Sequence, residues 1–147
     1  MNDSEVELML KAPMLVCILI AGADGKIDRK EIKEAIATVE KQLAVKSPLT
    51  SYFREVAQDF EDKLKILIQG YPYESSQRIP LLVEELGGIN EILTKLSREF
   101  AQEFYQMLKN LAEKVASSSG GLLGYKSIGA EEAKYLQLQM IRNPSIH

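Results

Sequence analysis

One cysteine and one histidine are all the sequence offers of the two residue types that dominate nucleophilic catalysis and zinc ligation. With Cys17 alone, no internal disulfide can close and no multi-cysteine zinc site can be assembled. The single histidine, His147, stands at the last position, so Ser-His-Asp and Cys-His arrangements lack a base in a structured place. Carboxylate acid–base catalysis needs no histidine, yet nothing in the sequence singles out a pair for it. The chain is therefore expected not to be an enzyme.

An excess of positive charge is missing too. Lys and Arg number 18 against 21 Asp and Glu, a formal charge of −3, and the basic residues are scattered among carboxylates. Nucleic-acid binding draws much of its affinity from Lys and Arg neutralising phosphates, so a nucleic-acid partner is not expected. The one continuous apolar run, Met14-Leu15-Val16-Cys17-Ile18-Leu19-Ile20, is well short of the ~20 residues that span a bilayer. It is preceded by Asp3, Glu5 and Glu7 against Lys11, where a secretory signal would carry positive charge. The run reads as a buried helix of a cytoplasmic protein that does not span the membrane. Cys17 lies inside it with no adjacent cation to lower its pKa, and is expected to be a buried, structural thiol.

What is present is helical periodicity almost throughout. The composition, 46% hydrophobic and 27% charged, suits a globular domain, and 147 residues can bury roughly 68–70% of the unfolded surface. A first helix is predicted over residues 4–23, with Pro13 marking a kink or a fresh start, and its second half is apolar on every face, as suits the centre of a bundle. A second starts near Asp28, with Ile32, Ala35, Ile36, Val39 and Leu43 on one stripe. A third runs from Ser47-Pro48 to Gln69 on Tyr52, Phe53, Val56, Phe60, Leu64 and Leu67. A shorter piece covers residues 76–86, with Ile79, Leu82, Val83 and Leu86 inward, and Gly87-Gly88 breaks the chain. The longest helix is predicted over residues 89–117, carrying Ile92, Leu93, Leu96, Phe100, Phe104, Met107, Leu108, Leu111 and Val115. A last helix covers residues 129–141. The expectation is one all-α domain, a compact bundle of six to seven helices over residues 1–147, with a flexible loop at 117–128 and a disordered tail at 142–147.

The most distinctive stretch is Ala23-Asp24-Gly25-Lys26-Ile27-Asp28-Arg29-Lys30-Glu31-Ile32. Aligned on Gly25 as the sixth position of an EF-hand loop, Asp24, Ile27, Asp28 and Glu31 fall at five, eight, nine and twelve and suit the pattern. The first and third positions fall on Ile20 and Gly22, which cannot supply oxygen side-chain ligands, so this is no EF-hand. Asp28 and Glu31 have the spacing of a capping box, and that role accounts for them unaided, with metal binding as the alternative.

Gly120-Gly121-Leu122-Leu123-Gly124-Tyr125-Lys126-Ser127 resembles a phosphate-binding loop. Tyr125 occupies the second required glycine's place and a helix precedes where a strand is needed, so a nucleotide site at Gly120, Gly121, Lys126 and Ser127 is not expected. An anion on the amides near Gly129 is the lesser form of that reading. The following Ile128-Gly129-Ala130-Glu131-Glu132 echoes Ile27-Asp28-Arg29-Lys30-Glu31. If the two turns pack together, Asp24, Asp28, Glu31, Glu131 and Glu132 would crowd carboxylates that a cation could relieve. Oxygen-only ligands favour Ca, Mg or Mn.

Residues 21–31 resemble the turn after the first long helix of TerB-like proteins, the tellurite-resistance family. Ser118-Ser119-Gly120-Gly121-Leu122-Leu123-Gly124-Tyr125 with the Glu131-Glu132 helix start is similar to that family's Gly-rich segment and acidic helix start. The likeness covers roughly residues 6–141, although 45–89 match only in helical character. The resemblance implies an all-helical bacterial stress-response domain acting through protein partners at the cytoplasmic face of the membrane. It also implies Asp24, Asp28, Glu31 and Glu132 as divalent-metal ligands. The resulting expectation is a non-enzymatic interaction or scaffold module. The alternatives are a divalent-metal-binding or sensing module on that acidic cluster, and a small-molecule pocket lined by Phe104, Tyr105 or Tyr125.

Overall fold

The apolar run decides the architecture. The computed structural model describes residues 2–23, 29–42, 50–118 and 134–144, and among these there are helices and turns but no strand. Seven helices lie wholly within the described residues: α1 (Asp3–Ala21), α2 (Arg29–Gln42), α3 (Thr50–Ala57), α4 (Phe60–Gln69), α5 (Ser75–Gly87), α6 (Ile89–Thr94) and α7 (Arg98–Ser118). The protein is all-α among its described residues.

A helix apolar on every face has no side to give to water and must be surrounded. Accordingly, every residue from 12 to 21 is buried, Cys17 included, and α1 contacts each of the other six helices. Each large aliphatic side chain buried this way contributes roughly 1.5–3 kcal/mol. The N-terminus of α1 is closed by a capping box, in which Glu5 N–H donates to Asn2 Oδ1 (2.9 Å) and Asn2 N–H donates to Glu5 Oε1 (3.0 Å).

The long α7 lays its stripe against α1 and α2. Phe104, Leu108, Leu111, Ala112 and Val115 recur at three- and four-residue steps and are all buried. Phe104 meets Tyr52 of α3 edge to face, with ring centroids 5.4 Å apart at 73°. Gly88, between α5 and α6, allows close approach: a Cβ there would lie 3.2 Å from both Leu8 Cδ2 and the Glu85 carbonyl oxygen.

Several expectations change. Pro13 makes no fresh start, because it lies inside α1, one helix from Asp3 to Ala21. The helix expected from Ser47-Pro48 to Gln69 is two, because Asp59 takes the left-handed conformation (φ 56°) that short polar side chains tolerate. The helix expected over 89–117 is also two. Ser97 starts α7 afresh, its Oγ accepting from Phe100 N–H (3.2 Å) and its carbonyl from Ala101 N–H (2.9 Å). Finally, helix ends at Tyr135 among residues 134–144, and the chain proceeds by turns through a buried Leu138 with φ 47°. Residues 142–144, expected within a disordered tail, are docked: Arg142 N–H donates to Asn90 Oδ1 (2.7 Å) and Pro144 is buried.

Candidate functional site

The residues named from sequence as candidate ligands fall almost entirely outside the described structure. Asp24, Asp28, Glu131 and Glu132 lie outside it, as do Gly120, Gly121, Lys126, Ser127 and Tyr125. Glu31 lies in the first turn of α2, and its side chain is outside the described set. Among the described residues, no three His, Cys, Asp or Glu side chains gather as a metal-holding group.

What the structure does place is the approach to residue 24. α1 ends at Ala21 with Gly22 as its cap, and no basic residue in its last turn meets the partial negative charge of its final carbonyls. Arg78 of α5 supplies that cation from 56 residues away. Its Nη2 donates to the Gly22 carbonyl (2.7 Å), and Nη1 donates to the carbonyls of Tyr73 (2.6 Å) and Pro72 (3.5 Å). Arg78 is 2% exposed, the one buried charged side chain among the described residues. Burial pulls its pKa below the ordinary arginine value while Glu74 and then Tyr73 oppose that pull, and a guanidinium remains a cation at neutral pH. Sequence reasoning missed Arg78, although 78, 82 and 86 share one helical face and all three are buried.

A second polar group joins the same elements. Glu85 of α5 accepts from the Tyr71 hydroxyl through Oε1 and from Lys11 Nζ of α1 through Oε2 (3.0 Å). Burial first, and then the Glu85 carboxylate, push the Tyr71 hydroxyl well above its usual pKa. Neither arrangement presents an open coordination position or an aimed nucleophile. Cys17 is fully buried and its thiol is pushed up by desolvation, so it offers no reactive thiolate.

No family model, no curated protein and no solved structure matches the chain.

Two of the open surfaces among the described residues combine an apolar wall with charge. A groove of about 350 Å³ runs between α1, α3 and α4. Leu10 and Met14 of α1, Val56 of α3 and Leu67 of α4 form its apolar floor, and Glu7, Lys11, Glu55 and Lys63 ring it. Ile66 stands at its mouth and is 71% exposed, though it lies off the inward stripe of Phe60, Leu64 and Leu67. The second surface is a pocket of about 360 Å³ between α6, the start of α7 and residues 142–144. Phe104 and Tyr105, expected as pocket-lining aromatics, are buried, with Lys109 Nζ 5.7 Å from the Tyr105 ring centroid. Among the described residues no helix is long and apolar enough to cross a membrane.

Proposed function

We infer that the chain is a non-enzymatic interaction module of the bacterial stress-response type, related in fold to the TerB-like domains its sequence resembles. The observation that carries this reading is the groove between α1 and α4. Apolar floor, exposed aliphatic residue at the mouth and charged rim are the parts of a protein-docking patch, which keeps charge out of its centre. The partner element it suits is an amphipathic helix. Glu7, Leu10, Lys11 and Met14 lie at i, i+3, i+4 and i+7 along one face of α1, a ridge of about two turns against which facing anchors of the same spacing can lie. Glu7, Glu55 and Lys63 have no ion-pair partner among the described residues, so the rim can pair with a helix carrying both signs of charge.

The test uses the full chain and its Ile66→Asp variant. The substituted position is mostly exposed, so the fold should survive. A specific partner should be retained by the wild-type chain and lost by the variant. Deleting the chain from its host should raise sensitivity to tellurite, and the wild-type chain but not Ile66→Asp should restore resistance. Identical capture by both chains would sink the groove as the docking site. Unchanged tellurite sensitivity on deletion would sink the stress-response assignment.

A further inference from the structure

We propose that the pocket between α6, the first turn of α7 and residues 142–144 is a binding site for a small organic anion, a carboxylate or phosphate carried on an apolar body. This goes beyond the docking role and does not depend on it, because the pocket shares no residue with the α1–α4 groove.

Two guanidinium-bearing residues line this one cavity, Arg98 from the first position of α7 and Arg142 from the C-terminal segment. Neither has a carboxylate ion-pair partner among the described residues. In a chain of formal charge −3, two uncompensated cations at one cavity form a local concentration of positive potential that a bound anion would relieve. Arg98 also stands at the end of α7 where a cation is unfavourable, since the helix N-terminus carries partial positive charge of its own. That unfavourable placement becomes favourable once an anion shares the site, because both guanidinium forks can then donate to it.

The position of Arg142 is built rather than incidental. Asn90 of α6 holds the backbone on both sides of residue 141, its Nδ2 donating to the Met140 carbonyl (2.8 Å) and its Oδ1 accepting Arg142 N–H (2.7 Å). Ile141 between them is 3% exposed and anchors the segment in the core. The side-chain amide thus fixes the backbone from which Arg142 projects, and pre-organisation of that kind raises affinity by reducing what must be ordered on binding. Leu93 and Ala101, both buried, and Leu96 and Pro144 supply apolar wall beside the two cations. A volume of about 360 Å³ lies at the low end of the range for small-molecule sites. Charge selects the anion and the apolar wall selects its body.

The probes are phenyl phosphate and phenylacetate, titrated into the full chain and followed by NMR of the Leu93, Leu96 and Ala101 methyl groups. Comparison probes are inorganic phosphate, for the charge without the body, and 2-phenylethanol, for the body without the charge. The expected result is saturable methyl shifts with a dissociation constant near or below ~1 mM for at least one aromatic anion. Each of Arg98→Gln and Arg142→Gln should weaken it by about tenfold, and the two together should abolish it. The preferred aromatic anion identifies phosphate or carboxylate as the recognised group. Because both arginines are exposed, the variants should keep the wild-type melting temperature, which is checked alongside. Three outcomes overturn the proposal: no saturation with either aromatic anion, equal binding by the double variant, or binding of 2-phenylethanol or inorganic phosphate as tight as the aromatic anions.

Discussion

Replacing Tyr52 by Phe should destabilise the protein by an amount that depends on Pro13, a residue 39 positions away in sequence. A proline inside a helix has no N–H to give to the carbonyl four residues earlier, so Pro13 leaves the Met9 carbonyl without its intrahelical donor. Met9 is 3% exposed, and water is a poor substitute there. The Tyr52 hydroxyl donates to that carbonyl instead, at 2.7 Å, while its ring rests edge-on against Phe104. Removing the hydroxyl leaves a buried acceptor unpaired, which costs about 1–3 kcal/mol. With alanine at 13, an N–H becomes available to Met9, and the same Tyr52→Phe change should cost only the net worth of one hydrogen bond, about 0.5–1.5 kcal/mol. The expected coupling is therefore roughly 1 kcal/mol, measured by urea unfolding of the wild type, both single variants and the double variant at constant m. If Tyr52→Phe costs the same in both backgrounds to within about 0.3 kcal/mol, the hydroxyl is not replacing the proline's missing donor and the reasoning fails.

Other outcomes follow from the same structure. Arg78→Met should destabilise by about 3 kcal/mol or more, since two short charge-assisted hydrogen bonds are lost and the α1 terminus is left uncapped. Arg78→Lys should recover only part of that in the same unfolding assay, because an ammonium cannot reach two divergent carbonyls as a fork does. Cys17 should resist a soluble thiol reagent in the native state and react at the rate of global unfolding, and fast native-state labelling would contradict its burial. The Glu5 carboxyl is held below its ordinary value of 4.5, chiefly by Lys95 and then by the Asn2 amide. Its contribution is thus full above pH 4.5 and lost as pH falls through the lowered pKa, while that of Lys95, raised by Glu5, is lost only as pH climbs past 10.5. Glu5→Gln should flatten the acid limb of unfolding midpoint against pH, and an unchanged limb would refute that assignment. Calcium, magnesium and manganese titrations of chelator-treated protein test the carboxylate reading. Saturable amide shifts confined to residues 24–31 and 131–132 would support it, and none at millimolar ion would leave those residues as helix caps.

Which parts were legible from sequence follows from how each is encoded. An apolar run on every face marks a surrounded helix and a stripe at three- and four-residue spacing marks a buried face, so the central position of α1 and the inward residues of α7 could be read directly. The same stripe hid the breaks. Val56, Phe60 and Leu64 continue their spacing straight across Asp59, and no glycine or proline announces the left-handed turn there. Ser97 was a legible cap, but apolar positions on both sides of it argued for one long helix. Arg78 carries no local signal of burial, because charged residues usually face solvent, and only its membership of the 78, 82, 86 face marks it. The acidic turns were the loudest sequence signal. Their candidate ligands other than Glu31 lie outside the described structure, whereas the groove and the arginine pocket are formed by residues from several separate segments that no local motif connects.

Three polar groups whose partners no local pattern reveals share one task. Tyr52, Arg78 and Asn90 each donate to a backbone carbonyl in a distant segment, on Met9, Gly22 and Met140 respectively. In the first two cases the acceptor is a carbonyl of α1 that its own helix serves poorly, because of a proline or because the helix has ended. Apolar packing alone is tolerant of sliding, since Leu against Ile is much the same one turn along. A hydrogen bond to one particular carbonyl is not, so these three side chains fix the register of α3, α5 and the C-terminal segment. The α1–α4 groove and the arginine pocket are held at the edges of that pinned core. A variant that disturbs a pin should therefore weaken binding at its neighbouring surface and stability together, whereas Ile66→Asp, Arg98→Gln and Arg142→Gln should weaken binding alone. That separation distinguishes a recognition surface from a merely exposed part of the fold.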